Sequence, residues 1–344
     1  MKIFLILDQA SLGGVSMRTL RQAEALSKSM PDLDVKVQYM SNLNSGLSAP
    51  DNIEVKKFNA IKFFQEIWRQ DKVFLFIMSG SLFLKFLPIK LLNTKLNIFV
   101  FQAVPLHLPE VKGFQVILRV LSAKIFYRFA TKIITVSHEL ASELSTIYRL
   151  KNVSALPNPV IENRLKSDFK LPIITKNKVR ALAVGRLHFQ KDYPLLLQAI
   201  KITNIDIELD IYGDGNELKN LRAFTNSLGL SDKVKFLGHK SEIRELYKNY
   251  DIFLMTSRWE GLPSAMIEAL YSGIRVCAIA CPTGPREIAE RIGATELVHE
   301  RTPAAFAIGI KNCLSSEYVV NFETFNEYSM EIFAKRTGQL IFTE

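Results

Sequence analysis

Two glutamates around the expected start of a helix, Glu260 and Glu268, have the residue type and spacing of a binding site. They lie in the stretch 257–273, which follows a short apolar run typical of a strand. Pro263 favours a helix start and Gly273 a helix end. The amino end of a helix attracts anions, and carboxylates accept hydrogen bonds from hydroxyl groups. The stretch therefore suits a ligand with phosphates and hydroxyls, although two solvent-facing glutamates would have the same spacing.

Positive charge follows an earlier strand-like run at 179–184. Gly185 and Arg186 come directly after it, and Lys191 precedes a helix that we expect to start near Asp192. Arginine grips a phosphate through two parallel hydrogen bonds, whereas lysine acts as a point charge. We expect Arg186 and Lys191 to converge on phosphates.

Glycine-containing loops follow two further strand-like runs. Gly213 and Asp214 lie in the loop Y-G-D-G-N, before a helix that we expect Asp or Asn to cap, and His239 follows the next run. In open α/β sheets ligands bind beyond the carboxyl ends of the strands. These loops are therefore expected to face one crevice together with 185–191 and 257–264.

The first strand-like run, 3–7, is followed by Gly13 and Gly14, which open a helix near Val15. Glycines here let the backbone approach a ligand closely, although a plain tight turn is an equal alternative. The pattern is not G-x-G-x-x-G, so a nicotinamide cofactor is not indicated.

Strand-length apolar runs alternate with helix-like stretches along the whole chain. The runs are 3–7, 34–39, 73–78, 97–101, 132–136, 179–184, 206–211, 233–237, 251–255 and 274–279. Helical patterns include 15–29, 114–130, 193–203, 216–228, 241–248 and 262–272. This alternation predicts an α/β protein with parallel sheets covered on both faces. Two similar halves joined by the proline-containing segment 156–161 indicate two doubly wound domains.

The composition excludes several classes of protein. Three cysteines without a C-x-x-C pair argue against a disulfide framework or a zinc ribbon and favour a reducing cytosol. The first residues are predicted to form a strand rather than a secretory signal. A net charge of +10 requires an anionic partner, but no nucleic-acid motif is present.

Lysines and arginines alternate with large apolar residues in two segments of the first half, 81–92 and 114–130. A basic amphipathic helix with aromatic residues is typical of a peripheral contact with an anionic membrane. The alternative for each segment is an ordinary core helix with a solvated basic edge. Residues 73–92 are apolar, but we expect them to divide into strand, turn and helix rather than to span a membrane.

The motifs of the second half resemble those of glycosyltransferase family 4, retaining nucleotide-sugar enzymes that are also called glycosyl transferases group 1. The motifs are G-R-L-x-x-x-K-D at 185–192, I-Y-G-D-G at 211–215, V-x-F-L-G-H at 234–239, the E-x7-E stretch at 251–270 and C-P-T-G-P-R-E-I at 281–288. The resemblance implies the GT-B architecture of two facing Rossmann-like domains. It places an acceptor-side domain at 1–160 with a returning helix in 325–344, and a nucleotide-sugar domain at 161–324.

The resemblance also implies roles for individual residues. Arg186 and Lys191 would grip the donor diphosphate, Glu260 would contact the transferred sugar and Glu268 the ribose. The remaining donor-binding residues would be Gly14, Gly185, Gly213, Asp214, His239, Gly261, Leu262, Pro263 and Ser264. No cofactor or metal is implied, and no metal-spaced cluster of histidines is present.

On the acceptor side, many relatives carry a histidine where this chain has Ala103. His107 is a candidate replacement and Gly13 a second acceptor-side candidate, although a loop histidine is more often polar surface.

The predicted function is a cytoplasmic retaining glycosyltransferase, peripheral on the inner face of the membrane. It would move a sugar from a UDP-sugar to a lipid-linked saccharide in bacterial surface polysaccharide synthesis. The alternatives are a nucleotide-sugar epimerase of the same architecture and a non-catalytic membrane-associated subunit.

Overall fold

The computed structural model describes residues 1–8, 14–41, 53–68, 73–78, 80–93, 96–108, 113–162, 168–240 and 243–342. The chain divides into two compact units. The N-terminal unit comprises Met1–Asn163 with Asn326–Glu344, and the C-terminal unit comprises Arg164–Phe325.

A parallel sheet of seven strands forms the centre of the N-terminal unit. Its strands are β1 (Lys2–Leu7), β2 (Asp34–Tyr39), β3 (Glu54–Lys57), β4 (Val73–Ile77), β5 (Asn97–Gln102), β6 (Lys132–Thr135) and β7 (Val153–Ala155). Its helices are α1 (Gly14–Ser29), α2 (Ala60–Trp68), α3 (Gly80–Leu92), α4 (Phe114–Phe126) and α5 (His138–Thr146), with a 3₁₀ turn at Tyr127–Phe129. The central strands are apolar on both faces, and the rings of Phe76 and Phe99 stack on adjacent strands with centroids 4.9 Å apart.

The C-terminal unit is built around a second parallel sheet, of six strands. The strands of this unit are β8 (Phe169–Leu171), β9 (Lys178–Val184), β10 (Asp206–Tyr212), β11 (Val234–Phe236), β12 (Ile252–Met255), β13 (Arg275–Ile279), β14 (Thr295–Val298) and β15 (Tyr318–Val320). Its helices are α6 (Tyr193–Ile202), α7 (Leu218–Ser227), α8 (Ser264–Tyr271), α9 (Pro285–Ile292) and α10 (Pro303–Ser315). The strands β8 and β15 form a separate antiparallel pair.

Short 3₁₀ helices lie at Phe189–Lys191, Arg244–Asn249 and Glu323–Tyr328. The last helix, α11 (Met330–Phe342), belongs to the N-terminal unit. Its residues Phe333 and Ile341 share a buried cluster with Ala23 and Leu26 of α1.

Both sheets have the strand order of a dinucleotide-binding fold. The N-terminal order is β3-β2-β1-β4-β5-β6-β7, and the C-terminal order is β11-β10-β9-β12-β13-β14. The direction of strand addition therefore reverses between β1 and β4 and between β9 and β12. Loops diverge at such a reversal and leave a crevice beyond the carboxyl ends of the strands.

The predicted α/β class with two Rossmann-like domains is confirmed, and every strand-like run of the sequence is a strand. Five strands had no predicted apolar run, namely β3, β7, β8, β14 and β15; the sequence of β3, for example, is E-V-K-K. The predicted helix at 114–130 ends at Phe126, and the one at 241–248 is a 3₁₀ helix in its described part. The expected Asp or Asn cap of α7 is wrong, because Glu217 occupies that position and makes no capping hydrogen bond.

Candidate active site

The candidate site lies at the strand-order reversal of the C-terminal sheet, where β9 and β12 are neighbours. The loop after β9 carries Arg186 and Lys191, and the loop after β12 carries Glu260. Parallel pairing brings the carboxyl ends of both strands to one edge, so the two loops meet there although they are far apart in sequence.

An ion pair joins these loops. The Nζ atom of Lys191 lies 2.6 Å from Oε1 of Glu260, and the two side chains are 21% and 9% exposed. The hydroxyl of Ser257 donates to the same carboxylate oxygen at 2.6 Å. The hydroxyl of Thr283 donates to the Glu260 backbone oxygen, and this contact holds the backbone of the loop after β12. The pair places a cation and a carboxylate in direct contact, which the sequence motifs do not predict.

Arg186 lies on the same loop as Lys191, and its side chain is exposed. Among the described residues it forms no hydrogen bond or ion pair, which leaves its guanidinium available to a ligand. Gly185 makes room for Lys191, because a Cβ atom there would lie 2.9 Å from the Lys191 Cε atom. The hydroxyl of Tyr193 donates to the Gly185 carbonyl at 3.0 Å and holds the loop in place.

Asp192 and two arginines form a network that the sequence motifs did not indicate. Asp192 is 6% exposed and has a left-handed backbone with φ 49°. Its Oδ2 atom accepts hydrogen bonds from Arg301 at 2.9 Å and contacts Arg258 at 3.0 Å. The Arg258 guanidinium also lies over the ring of Phe189, 4.1 Å from its centroid. Arg301 is 109 residues away in sequence, so no local pattern signals the contact.

The glycine loop after β10 packs directly on the loop after β9. A Cβ atom at Gly213 would lie 2.0 Å from the Gly185 carbonyl oxygen, and one at Gly215 would lie 2.1 Å from that of Leu187. The Gly213 amide donates to Gly238, and the carboxylate of Asp214 accepts from the backbone amide of His239 at 3.1 Å. The structure thus brings Gly213, Asp214 and His239 together. The close backbone contacts of this loop are sufficient to explain why glycine occupies these positions, whether or not a ligand binds there.

Glu268 lies on α8 and is anchored by the 3₁₀ helix Arg244–Asn249. The hydroxyl of Tyr247 donates to its Oε2 atom at 3.1 Å, and Arg244 lies 3.5 Å from its Oε1 atom. These contacts hold the carboxylate in one orientation.

The amino end of α8 has no side-chain cap. Pro263 occupies the capping position rather than the first helical position, and the helix ends before Gly273 at φ 78°. Gly284 packs against Gly261 and Pro263, where a Cβ atom would be 2.7 Å from both. The tightly packed backbone of Gly261, Leu262, Pro263 and Ser264 therefore presents a helix start that is suited to an anion.

On the N-terminal unit, Gly14 is the first residue of α1, and Gly13 lies outside the described residues. His107 is exposed on the loop after β5, close to Glu143 and Tyr148. Burial and the neighbouring Glu139 raise the pKa of Glu143, and His107 partly opposes that rise. The placement of His107 leaves its acceptor-side role a prediction.

The two basic apolar segments form helices α3 and α4 with exposed apolar side chains. These side chains are Leu84, Leu91, Leu92, Phe114, Ile117, Leu118, Leu121, Ile125 and Phe129. In α4 only Ala123 is buried, and Tyr127 and Ala130 are buried in the rest of the segment, so most of its apolar side chains face outward from the N-terminal unit. Lys124 and Arg128 are exposed, whereas Arg119 is half-buried and donates to the Pro105 carbonyl.

A surface pocket of about 360 Å³ joins the two segments. Its lining consists of Lys90, Leu91, Arg128, Phe129, Ala130 and Thr131. No helix in the described part of the chain has the length and apolarity needed to cross a membrane. Across the same described ranges, no three His, Cys, Asp or Glu side chains converge to hold a metal ion.

The sequence of the chain matches one family model and several known proteins. Residues 164–329 match the model of the family "Glycosyl transferases group 1". The amylovoran biosynthesis glycosyltransferase AmsD of Erwinia amylovora is 28% identical over 228 residues, which are 63% of this chain and 64% of AmsD. The match therefore spans slightly less than two thirds of that relative.

Solved structures share the fold over the whole chain. The lipopolysaccharide outer core galactosyltransferase WaaB superposes with a TM-score of 0.73 at 19% identity, covering 100% of this chain and 99% of WaaB. Anabaena HepE in complex with UDP and glucose superposes with a TM-score of 0.75 at 16% identity, covering 100% of both chains. The match to glycosyl transferases group 1 thus covers residues 164–329, and the solved structures extend the shared fold to the whole chain.

Proposed function

We propose that the chain is a retaining glycosyltransferase that moves a sugar from a UDP-sugar to a lipid-linked saccharide in bacterial surface polysaccharide synthesis. The observation that carries the proposal is the Lys191–Glu260 ion pair at the strand-order reversal of the C-terminal sheet, with an exposed Arg186 on the same loop. A site that must bind a diphosphate and a sugar side by side needs cations and a carboxylate in this proximity.

The chemistry follows from the charges. Breaking the bond between the sugar and the phosphate leaves negative charge on the departing diphosphate. Fixed cations stabilise that charge more in the transition state than in the bound donor, which is how they accelerate the step. Lys191 and Arg186 supply the cations, and the amino end of α8 adds backbone amides. No metal ion takes part in this proposal.

Donor binding exchanges the partners of the ion pair. When the diphosphate takes the Lys191 ammonium, the Glu260 carboxylate keeps the Ser257 hydroxyl and gains acceptor capacity for the hydroxyls of the sugar. Glu268, held by Tyr247 and Arg244, is fixed to accept hydrogen bonds from the ribose. Gly185, Gly213, Asp214 and His239 complete the proposed donor site within the C-terminal unit.

The donor and acceptor classes are supported by relatives. HepE was solved with UDP and glucose, WaaB is named a lipopolysaccharide galactosyltransferase, and AmsD is named for amylovoran biosynthesis. We infer a nucleotide-sugar donor with uridine and a saccharide acceptor for this chain, with His107 on the acceptor side.

The exposed face of α3 and α4 supports the lipid-linked acceptor and a peripheral membrane location on the cytoplasmic side. Apolar side chains on this face enter the acyl boundary, and Lys124 and Arg128 attract anionic headgroups. The pocket lined by Lys90, Arg128 and Phe129 likewise combines basic and apolar side chains.

The experiment that tests this function is incubation with a panel of labelled nucleotide sugars and bacterial membranes, followed by extraction of lipid-linked product. The matched variants are R186A and R222A, since Arg222 is an exposed arginine on α7 of the same unit. R186A removes a contact to the developing charge and should lower turnover about 100-fold. R222A should behave as wild type. Wild-type turnover in R186A would contradict the assignment of the leaving-group site.

A further inference from the structure

We propose that Asp192 is a positioning residue for the transfer step. In this proposal, which rests on the proposed function, its carboxylate and the guanidinium of Arg301 lock the backbone of Lys191 against the loop that carries Glu260. Asp192 does not itself contact the donor in this proposal, because it is buried and its carboxylate is paired with Arg258 and Arg301.

Arg301 makes the connection between the two loops. Its Nη1 atom donates to Oδ2 of Asp192 at 2.9 Å and to the Thr256 carbonyl at 3.0 Å, and its Nη2 atom donates to the Ser257 carbonyl. Ser257 in turn donates its hydroxyl to Glu260. One guanidinium therefore holds the residue after Lys191 and the residues that lead to Glu260.

A second set of contacts points the same way. The hydroxyl of Thr256 donates to the carbonyls of Lys191 and Asp192, each at 3.0 Å. The Arg258 amide donates to the Gln190 carbonyl at 2.7 Å, and the Gln190 side chain donates to the Trp259 carbonyl. The chain on both sides of Lys191 is thus bonded to the chain on both sides of Ser257.

The backbone conformation of Asp192 explains why its contact with Arg301, called the clamp below, is needed. Its φ of 49° is a left-handed conformation that a non-glycine residue adopts at some cost and that the surroundings must maintain. A carboxylate that is 6% exposed also requires cationic partners, because an unpaired buried charge is strongly unfavourable. Asp192 therefore links the backbone conformation beside Lys191 to the charges of Arg258 and Arg301.

The expected kinetic signature is a loss of turnover rather than of donor binding. A lysine that is misplaced by about 1 Å loses its contact with the transition state, and such displacements lower rates by about 100-fold. Ground-state binding of the nucleotide depends on other groups, among them Glu268, and is preserved.

The test variant is D192N, because asparagine accepts a left-handed backbone and has the same shape but no charge. We expect kcat to fall by about 10- to 100-fold with little change in the KM for the donor. The double variant K191M/D192N should be no slower than K191M, since Asp192 acts through Lys191. The matched control is D206N, which breaks the exposed Lys233–Asp206 pair of the same unit and should leave kcat unchanged.

Two results would overturn the inference: wild-type kcat in D192N, or the same fold-loss from D192N in the K191M background as in the wild type. Should D192N fail to fold, R301Q tests the same contact by changing Arg301 instead. R301Q should lower kcat, and R301K should recover part of that loss in kcat. An inactive K191M with a fully active D192N contradicts only the clamp. A wild-type protein that transfers no sugar from any nucleotide contradicts the proposed function instead.

Discussion

Replacing Lys191 by methionine separates a stabilising role of the Lys191–Glu260 pair from a chemical one. Lys191 is the ion partner of a carboxylate that is 9% exposed, so the K191M variant leaves the buried Glu260 carboxylate with the Ser257 hydroxyl as its remaining partner among the described residues. Adding E260Q removes the uncompensated charge and keeps the size of the side chain. The variants K191M and K191M/E260Q therefore differ mainly in the negative charge of residue 260.

The magnitude follows from the geometry. Removing one partner of a buried ion pair costs about 3–5 kcal/mol of unfolding free energy. Lys191 is 21% exposed, and the hydroxyl of Ser257 still donates to the carboxylate, so we expect a smaller loss. For K191M that loss is about 2–3 kcal/mol in the C-terminal unit. The double variant should regain most of it.

Turnover should respond differently from stability. A fixed donor aimed at developing negative charge contributes about 3 kcal/mol to the transition state, which is a loss of about 100- to 1,000-fold when it is removed. This loss should appear in K191M and remain in K191M/E260Q, because neither variant restores a cation at the diphosphate.

The assay uses the two tryptophans of the chain. Trp259 is 5% exposed and directly precedes Glu260, whereas Trp68 is 61% exposed in the N-terminal unit. In a W68F background, denaturant unfolding followed by Trp259 fluorescence reports on the C-terminal unit alone. Turnover is measured on the same preparations at a temperature where each variant is folded.

Two outcomes would refute the reasoning. A K191M variant that keeps turnover within a few-fold of wild type would show that the ammonium does not serve the leaving group. A double variant that stays as unstable as K191M would show that the uncompensated carboxylate is not the source of the instability.

Three further predictions follow from the same structure. Turnover should survive excess EDTA, and a loss that manganese restores would contradict the proposed role of Arg186 and Lys191 in stabilising the diphosphate without a metal ion. The K124E/R128E variant should no longer co-sediment with anionic liposomes, with neutral liposomes as the control; unchanged co-sedimentation would exclude the α4 face as the contact. G213A should destabilise the C-terminal unit by about 1–3 kcal/mol because its Cβ atom meets a backbone oxygen at 2.0 Å. G229A is the control, because Gly229 also has a positive φ but its Cβ atom would make only an ordinary contact, 3.8 Å from the Lys201 Nζ atom; equal effects of the two glycine variants would argue against the clash.

Local signals were sufficient to predict the elements around the site. The apolar run before 257–273 is β12, the helix after Pro263 is α8, and Gly273 ends it with a positive φ. Each of these features depends on residues within a few positions of one another, which is the range over which backbone preferences act. The family motifs added the expectation that Arg186, Lys191, Glu260 and Glu268 serve one donor, and that expectation stays a prediction.

Contacts between distant segments lay beyond local reasoning. Lys191 and Glu260 are 69 residues apart, and they meet because β9 and β12 are neighbours in a sheet whose order no sequence run specifies. The partners of Glu268 also come from another segment, the 3₁₀ helix Arg244–Asn249.

The helix α4 shows the same limit on a surface. Its sequence fitted both a core helix with a basic edge and a membrane-contacting helix, because periodicity is the same in both. The packing of the N-terminal unit shows only that Ala123 is the buried residue of this helix, and the membrane contact stays a prediction.

The sequence by itself determined the α/β class, the positions of the strands and helices around 257–273, and the motifs that resemble those of glycosyltransferases. Tertiary structure alone decided that Lys191 forms an ion pair with Glu260, and that Asp192 is clamped by Arg258 and Arg301. The physical reason is that hydrophobic periodicity and turn chemistry act over a few residues. Ion pairs between strand ends depend instead on the order in which strands assemble.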